Sequence, residues 1–237
     1  MFAEQNDGKE YGQGMTLEIL SQEQLQQRFQ TLFPQFLEVT CNATGRTLDE
    51  MREEQREVMS GWDFALAFRD KEKMLGYGGF ELPEFSGIGQ ALDISALMIR
   101  KDQQGKHLSE RFIGIAAQQN PDARFYHFTT QNPAAFLAIR RGLQNVGIET
   151  KFAPIDCEYQ EEIELFNILQ KIRFEKQTKG QRVHSRTGLR SGVYGKRLGD
   201  YEIRSGNPDI QRVDARMLLT GLNRQAGDGL LVIGKRI

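Results

Sequence analysis

Apolar residues recur along this chain with two periods, and the switches between them outline its elements. Leu17 to Leu20 reads as a short strand. Ser21 then sits where a helix cap is needed, with Gln24 three residues on to close a capping box. Leu25, Phe29, Leu32, Phe33 and Phe36 fall at helical spacing, and Pro34 is expected to bend or split that helix. Cys41 to Arg46 reads as a loop. Thr47 to Met59 reads as a second helix, capped by Thr47 with Glu50, and carrying a thin apolar face of Met51, Val58 and Met59. Trp62–Arg69 and Met74–Leu82 alternate as paired strands about a turn at Asp70–Lys73. Gly76, Gly78 and Gly79 mark a bulge or a close backbone approach in the second of them. After a turn at Ser86–Gln90, Leu92 to Ile99 is the next strand. It feeds a polar loop and then an amphipathic helix from Glu110. Arg124–Thr129 reads as a strand. The helix of Gln131–Leu143 follows, with Asn132 as cap, Pro133 at the first helical position and Gly142 as terminator. Ile148–Ala153 is a sixth strand.

This order, β-α-α-β-β-β-α-β-α-β, combines a three-strand meander with a βαβ unit. It predicts an α/β (α+β) fold with a mixed, mostly antiparallel central sheet flanked by helices. The C-terminal third is less regular. Glu161–Phe174 has a helical apolar face, residues 176–209 are basic and turn-rich, Asp214–Leu222 is a short helix, and Leu230–Ile233 is a closing strand. The division expected is a body over 1–155, a basic insertion or extension over 156–227, and a final strand over 228–237 returning to the sheet.

The segment with most chemical content runs from Leu92 to Gln119. A strand that turns through a short loop into a helix presents unpaired backbone N–H groups and the positive end of the helix dipole, which suits an anion such as a diphosphate. Leu97-Met98-Ile99-Arg100-Lys101-Asp102-Gln103-Gln104-Gly105-Lys106-His107-Leu108-Ser109 resembles motif A of the GNAT superfamily of acyl-CoA N-acyltransferases. Gln104, Gly105 and Lys106 fit that family's pyrophosphate loop, whereas His107 and Ser109 stand where it has Gly and then Gly or Ala. The strand, Asn132-Pro133-Ala134-Ala135 and the helix ending near Gly142 resemble its motif B, with Ala138 and Ile139 in the region where the family has a tyrosine acid. The resemblance covers residues 62–153. It implies acetyl-CoA, or another acyl-CoA, as cofactor. The pantetheine arm would lie along Met98 and Ile99, the diphosphate on Gln104, Gly105, Lys106, His107, Leu108 and Ser109, and Asn132 would touch the arm. It also implies Asp93 as the base, in the position of a glutamate in histone-type members and acting through water, with a backbone N–H near Met98 steadying the oxyanion.

Composition narrows the field further. The 237 residues carry 39% hydrophobic and 27% charged side chains, and no apolar run approaches the ~20 residues of a membrane helix. The polar first residues give no signal peptide, and Cys41 and Cys157 lack metal-ligand spacing, so a cytoplasmic setting is expected. The net charge is −1, yet residues 171–197 hold nine Lys and Arg against one Glu. That segment is a candidate contact for an anionic macromolecule.

Three functions follow. The first is transfer of an acetyl group from acetyl-CoA to the primary amine of a small molecule or protein. The second is a non-catalytic binding module of the same fold. The third is a nucleic-acid-binding or -modifying protein that uses the basic segment. Among further residues, His127 and Thr129 share a strand face opposite Tyr126, and Tyr194 and Tyr201 are alternative proton donors if the C-terminal region folds over the site.

Overall fold

The computed structural model describes residues 14–85, 89–156, 187–194 and 206–237. They fall in two compact units, Met1–Ala123 and Arg124–Ile237. The expected helix at Glu161–Phe174, Cys157, His184, Tyr201 and most of the basic segment lie outside the described residues.

In the first unit, β1 (Met15–Ser21), β2 (Phe64–Asp70), β3 (Lys73–Glu81) and β5 (Gly89–Ile99) pair in that order, each antiparallel to the next. The short β4 (Glu84–Phe85) pairs with the start of β5. The helices are α1 (Gln22–Gln27), α2 (Phe29–Thr44), α3 (Leu48–Ser60) and α4 (Leu108–Gln119). Both expected capping boxes form, Ser21 with Gln24 and Thr47 with Glu50.

Two local expectations are corrected. The first helix divides at Arg28 and not at Pro34, which lies inside α2. The stretch read as a loop from Cys41 is still helix to Thr44. Thr40 and Thr44 return their hydroxyls to the carbonyls of Phe36 and Thr40, at 2.9 and 2.7 Å, which satisfies them without leaving the helix. Gly45 stops α2 in the left-handed region, at φ +73°.

One face of this sheet packs on α2 and α3. Phe36 meets Tyr77 and Trp62 edge-on, at 4.7 and 5.5 Å between centroids. Buried among these rings is a polar knot in which Thr40 Oγ1 lies 2.5 Å from Tyr77 Oη, and the two hydroxyl oxygens lie 2.9 and 3.1 Å from Gln55 Oε1. Burial pushes the Tyr77 phenol well above its usual range, so it remains a neutral hydrogen-bonding group. The opposite face carries Phe64 stacked on Phe80 and Phe68 against Phe112 of α4.

In the second unit, β9 (Gly229–Arg236) lies between β6 (Phe125–Thr130) and β7 (Thr150–Ala153), antiparallel to both, and β8 (Leu189–Arg190) also pairs with it. The last strand of the chain thus pairs with one that ends more than seventy residues earlier. Phe128, Phe136 of α5 (Pro133–Gln144) and Phe152 form an aromatic core. Gly234 leaves room for the Phe152 ring, since a Cβ there would sit 2.5 Å from it.

The α5 helix starts as expected at Asn132-Pro133. It does not stop at Gly142, which is buried inside it; it runs to Gln144 and is left behind at Gly147, φ +75°. The helix expected at Asp214–Leu222 is α6, Pro208–Leu219, opened by Asn207-Pro208 in the same manner. Of the nine basic residues of 171–197, the described one is Arg190. It is 2% exposed and donates to Thr129 Oγ1 at 3.0 Å, so its charge faces the interior of this unit. Among the described residues no helix is long and apolar enough to cross a membrane, and no cluster of His, Cys, Asp or Glu could hold a metal ion.

Candidate active site

The site expected from sequence lies in the first unit, along β5, the loop that follows and the amino end of α4. Its geometry begins with a bulge. Tyr77 pairs with Met98 and Gly79 with Ala96, but Phe80 pairs with Ile94 and Glu81 with Asp93, so Ser95 is an extra residue on β5. Strict alternation would place Asp93 and Met98, five residues apart, on opposite faces. The bulge cancels that offset. Asp93 shares a face with Ala96 and Met98, the face covered by α2 and α3.

Asp93 is 6% exposed and stands directly opposite Glu81 on β3. The Ser95 hydroxyl donates to Glu81 Oε1 at 2.7 Å. The two carboxylates thus share one face of neighbouring strands. Glu81 was not expected from sequence. Its only signal is that it alternates in phase with Tyr77 and Gly79, and its partner depends on the bulge.

The backbone of β5 divides its groups between two sides. The Arg100 N–H donates to Leu75 O on β3 at 3.0 Å. By alternation Met98 also turns its N–H and C=O toward β3, while Leu97 and Ile99 turn theirs away. Of the two residues expected to meet an extended ligand, Met98 thus turns its backbone groups to β3 and Ile99 turns them away from it. Ile99 O already accepts a bond from Gln104 Nε2 at 3.3 Å.

The loop makes a 3-10 turn at Lys101–Gln103 and then passes through two left-handed residues, Gly105 (φ +84°) and His107 (φ +59°). Lys106 Nζ reaches Gln103 Oε1 at 2.9 Å, and His107 Nδ1 lies 3.0 Å from Glu110 Oε1. Gln104 to His107 are exposed, Leu108 is buried and anchors the helix start, and Ser109 is half-buried. No side chain caps the amino end of α4, nor that of α2, which follows directly on α1; α1, α3, α5 and α6 are each capped by a side chain. The first-turn N–H groups and the dipole thus face outward beside Lys106. Asp102 is an acid in the same loop. The Gln103 side-chain amide, with further help from Lys73 and Arg100, holds its carboxyl below the usual range.

His107 occupies the backbone conformation that glycine adopts at no cost, although its sequence departs from glycine. His107→Gly is therefore expected to leave the loop intact and to raise stability by about 0.5–1 kcal/mol, while Gly105→Ala should lower it by about 1 kcal/mol. Urea midpoints measure both. A loss on His107→Gly would mean that the contact with Glu110 outweighs the backbone relief.

Asn132 belongs to the second unit, where its side chain caps α5 by accepting from Ala134 N at 2.9 Å. His127 is buried in β6. Tyr194 donates its hydroxyl to Thr129 O at 2.7 Å. That carbonyl points away from β9, because Leu231, opposite Thr129, directs its N–H to Gly188 O.

No protein-family model matches this chain, and no curated protein matches it. Solved structures resemble it at low identity. A protein from Desulfovibrio desulfuricans assigned to the GNAT family of acetyltransferases is 14% identical, with 57% of this chain and 87% of that one covered and a TM-score of 0.41. A protein from the yellow fever mosquito Aedes aegypti assigned as an arylalkylamine N-acetyltransferase is 10% identical, with 65% and 79% covered and a TM-score of 0.41. A Salmonella typhimurium protein assigned as an acetyltransferase and solved with its cofactor acetyl-CoA is 15% identical, with 59% and 82% covered and a TM-score of 0.34.

Proposed function

We propose that this chain is an acyl-CoA-dependent N-acyltransferase that transfers an acetyl group to a primary amine. The observation that carries the proposal is the junction of β5 with α4. A bulged strand turns through two left-handed residues into a helix start with no side-chain cap, and it does so over the residues that resemble the GNAT pyrophosphate loop. The donor set fits a diphosphate: main-chain N–H groups at a helix start, with Lys106 alongside.

In this reading Gln104 to Ser109 hold the diphosphate, and the backbone groups of Leu97 and Ile99 that turn away from β3 hold the pantetheine arm. The acceptor enters as an ammonium, with a pKa near ~10.4, and must lose a proton before it can attack. Asp93 takes that proton, directly or through one water, and the opposed Glu81 favours an ammonium over an anion at this place. The amine then attacks the thioester carbonyl carbon. A C–N bond forms, negative charge gathers on the carbonyl oxygen beside the N–H of Leu97 or Ile99, and the C–S bond breaks to release a thiolate that takes up a proton.

A thermal-shift titration with acetyl-CoA tests the cofactor. At 100 times its dissociation constant the ligand should stabilise the fold by about 2.7 kcal/mol, seen as a raised melting temperature. No shift at millimolar acetyl-CoA would sink the assignment.

One observation favours a second reading, a module that binds the cofactor without turnover. α5 carries Ala138 and Ile139 ahead of Gly142, so it offers no phenol to protonate a leaving thiolate. Thiol release measured against a panel of primary amines separates the two readings, since both predict binding and only the first predicts release.

A further inference from the structure

The carboxyl-terminal half of α2 touches the start of the anion loop at three points, none of which a phosphate-loop motif requires. Arg100 Nη1 donates to Glu38 Oε1 at 2.6 Å. One turn along the same helix, Asn42 Oδ1 accepts the Lys101 backbone N–H at 2.8 Å, where the 3-10 turn begins. The Lys101 ammonium lies beside Gly45, the residue that ends α2; a Cβ there would be 3.5 Å from Nζ. A cation at that place faces the negative end of the helix dipole. Glu38 and Asn42 are four residues apart and so lie on one face of the helix.

Between them, Thr40 points inward. Its hydroxyl is held by Tyr77 on β3 and Gln55 on α3. This part of α2 is therefore fixed to the core on its inner side and grips residues 100 and 101 on its outer side. Those residues are where the chain leaves β5 and turns toward Gly105 and His107, so their position sets where the loop N–H groups point.

We propose that α2 acts as a clamp on the anion loop, and that Asn42 is its positioning residue. The proposal rests on the reading of residues 104–109 as the diphosphate site. Asn42 itself touches no ligand. It fixes the first N–H of the 3-10 turn so that the later N–H groups converge. Arg100–Glu38 is the weaker arm, because Glu38 is largely exposed and an exposed ion pair contributes little.

The test compares Asn42→Ala with the unaltered chain in three measurements. Hydrogen exchange of amides 101–107 should be faster in the variant, because the loop loses its tether. CoA affinity by calorimetry should fall about five- to tenfold, the effect of losing one positioned hydrogen bond. The urea midpoint should stay put, since Asn42 is not part of the buried core. Unchanged exchange in 101–107 would overturn the clamp whatever CoA does. Equal CoA binding by variant and parent would overturn Asn42 as a positioning residue, and a fall in midpoint that accounts for the weaker binding would reduce it to a stabilising contact. Faster exchange in the variant with no CoA binding by the parent would instead preserve the clamp and defeat the cofactor assignment.

Discussion

Asp93→Asn is expected to slow acetyl transfer by about 10²- to 10⁴-fold and to leave CoA affinity unchanged, the range found when a positioned base is removed. Ser95 turns β5 by one residue, so Asp93 joins Ala96 and Met98 on the face covered by α2 and α3. Asparagine keeps the shape and part of the hydrogen bonding of the aspartate, so the change removes a proton acceptor and leaves the packing in place. Glu81→Gln should behave differently. It removes the charge opposite Asp93, and its main effect should be a higher KM for a cationic acceptor with a smaller loss in kcat. Steady-state kinetics against a primary amine, with CoA affinity measured separately, read both outcomes. Unchanged turnover in Asp93→Asn would remove it as the base. A fall in CoA affinity that matched the loss of rate would make Asp93 a structural residue of β5.

What could be read from sequence and what could not differ by the range of the interaction. The caps at Ser21, Thr47 and Asn132 are local, because each bonds a backbone group two or three residues away, and each was legible. Asn207-Pro208 carries the same signal as Asn132-Pro133, but it stands at the end of a basic, turn-rich stretch that obscures it. The loop over Gln104–Ser109 was legible as a motif, and His107 read as a departure from it. The structure shows that the departure is one of residue type and not of backbone, since His107 takes the conformation of a glycine. The bulge at Ser95 was hidden because it is a property of two strands. Without it the Asp93–Glu81 pair cannot be derived. The hold of α2 on residues 100 and 101 was hidden by the loop expected at Cys41–Arg46, which left Asn42 outside any helix.

Gly79→Ala is expected to cost at least about 3 kcal/mol of stability, the upper range for overfilling a packed core. A Cβ at this position would lie 2.1 Å from Trp62 Cε2 and 2.4 Å from Cζ2, far inside any real contact. The indole has no direction in which to yield. It is fully buried, with Phe36 5.5 Å and Tyr77 5.7 Å from it between ring centroids. Native proteins hold only about 5–15 kcal/mol in all, so the variant should show a much lower urea midpoint with an unchanged slope. The clash is specific to one ring, so a smaller ring should relieve it. Trp62→Phe will destabilise the parent by leaving a void, yet in the Gly79→Ala background it should recover part of the loss, giving a coupling of more than about 1 kcal/mol in a double-mutant cycle. Additive effects would mean that the indole is not what forbids a side chain at residue 79. The result bears on the site as well, because Gly79 pairs with Ala96, the residue after the bulge. A ring lying flat on Gly79 keeps β3 and β5 in the register that brings Glu81 opposite Asp93. Gly79→Ala should therefore lower turnover in the folded fraction too, while Phe in place of Trp62 restores some of both.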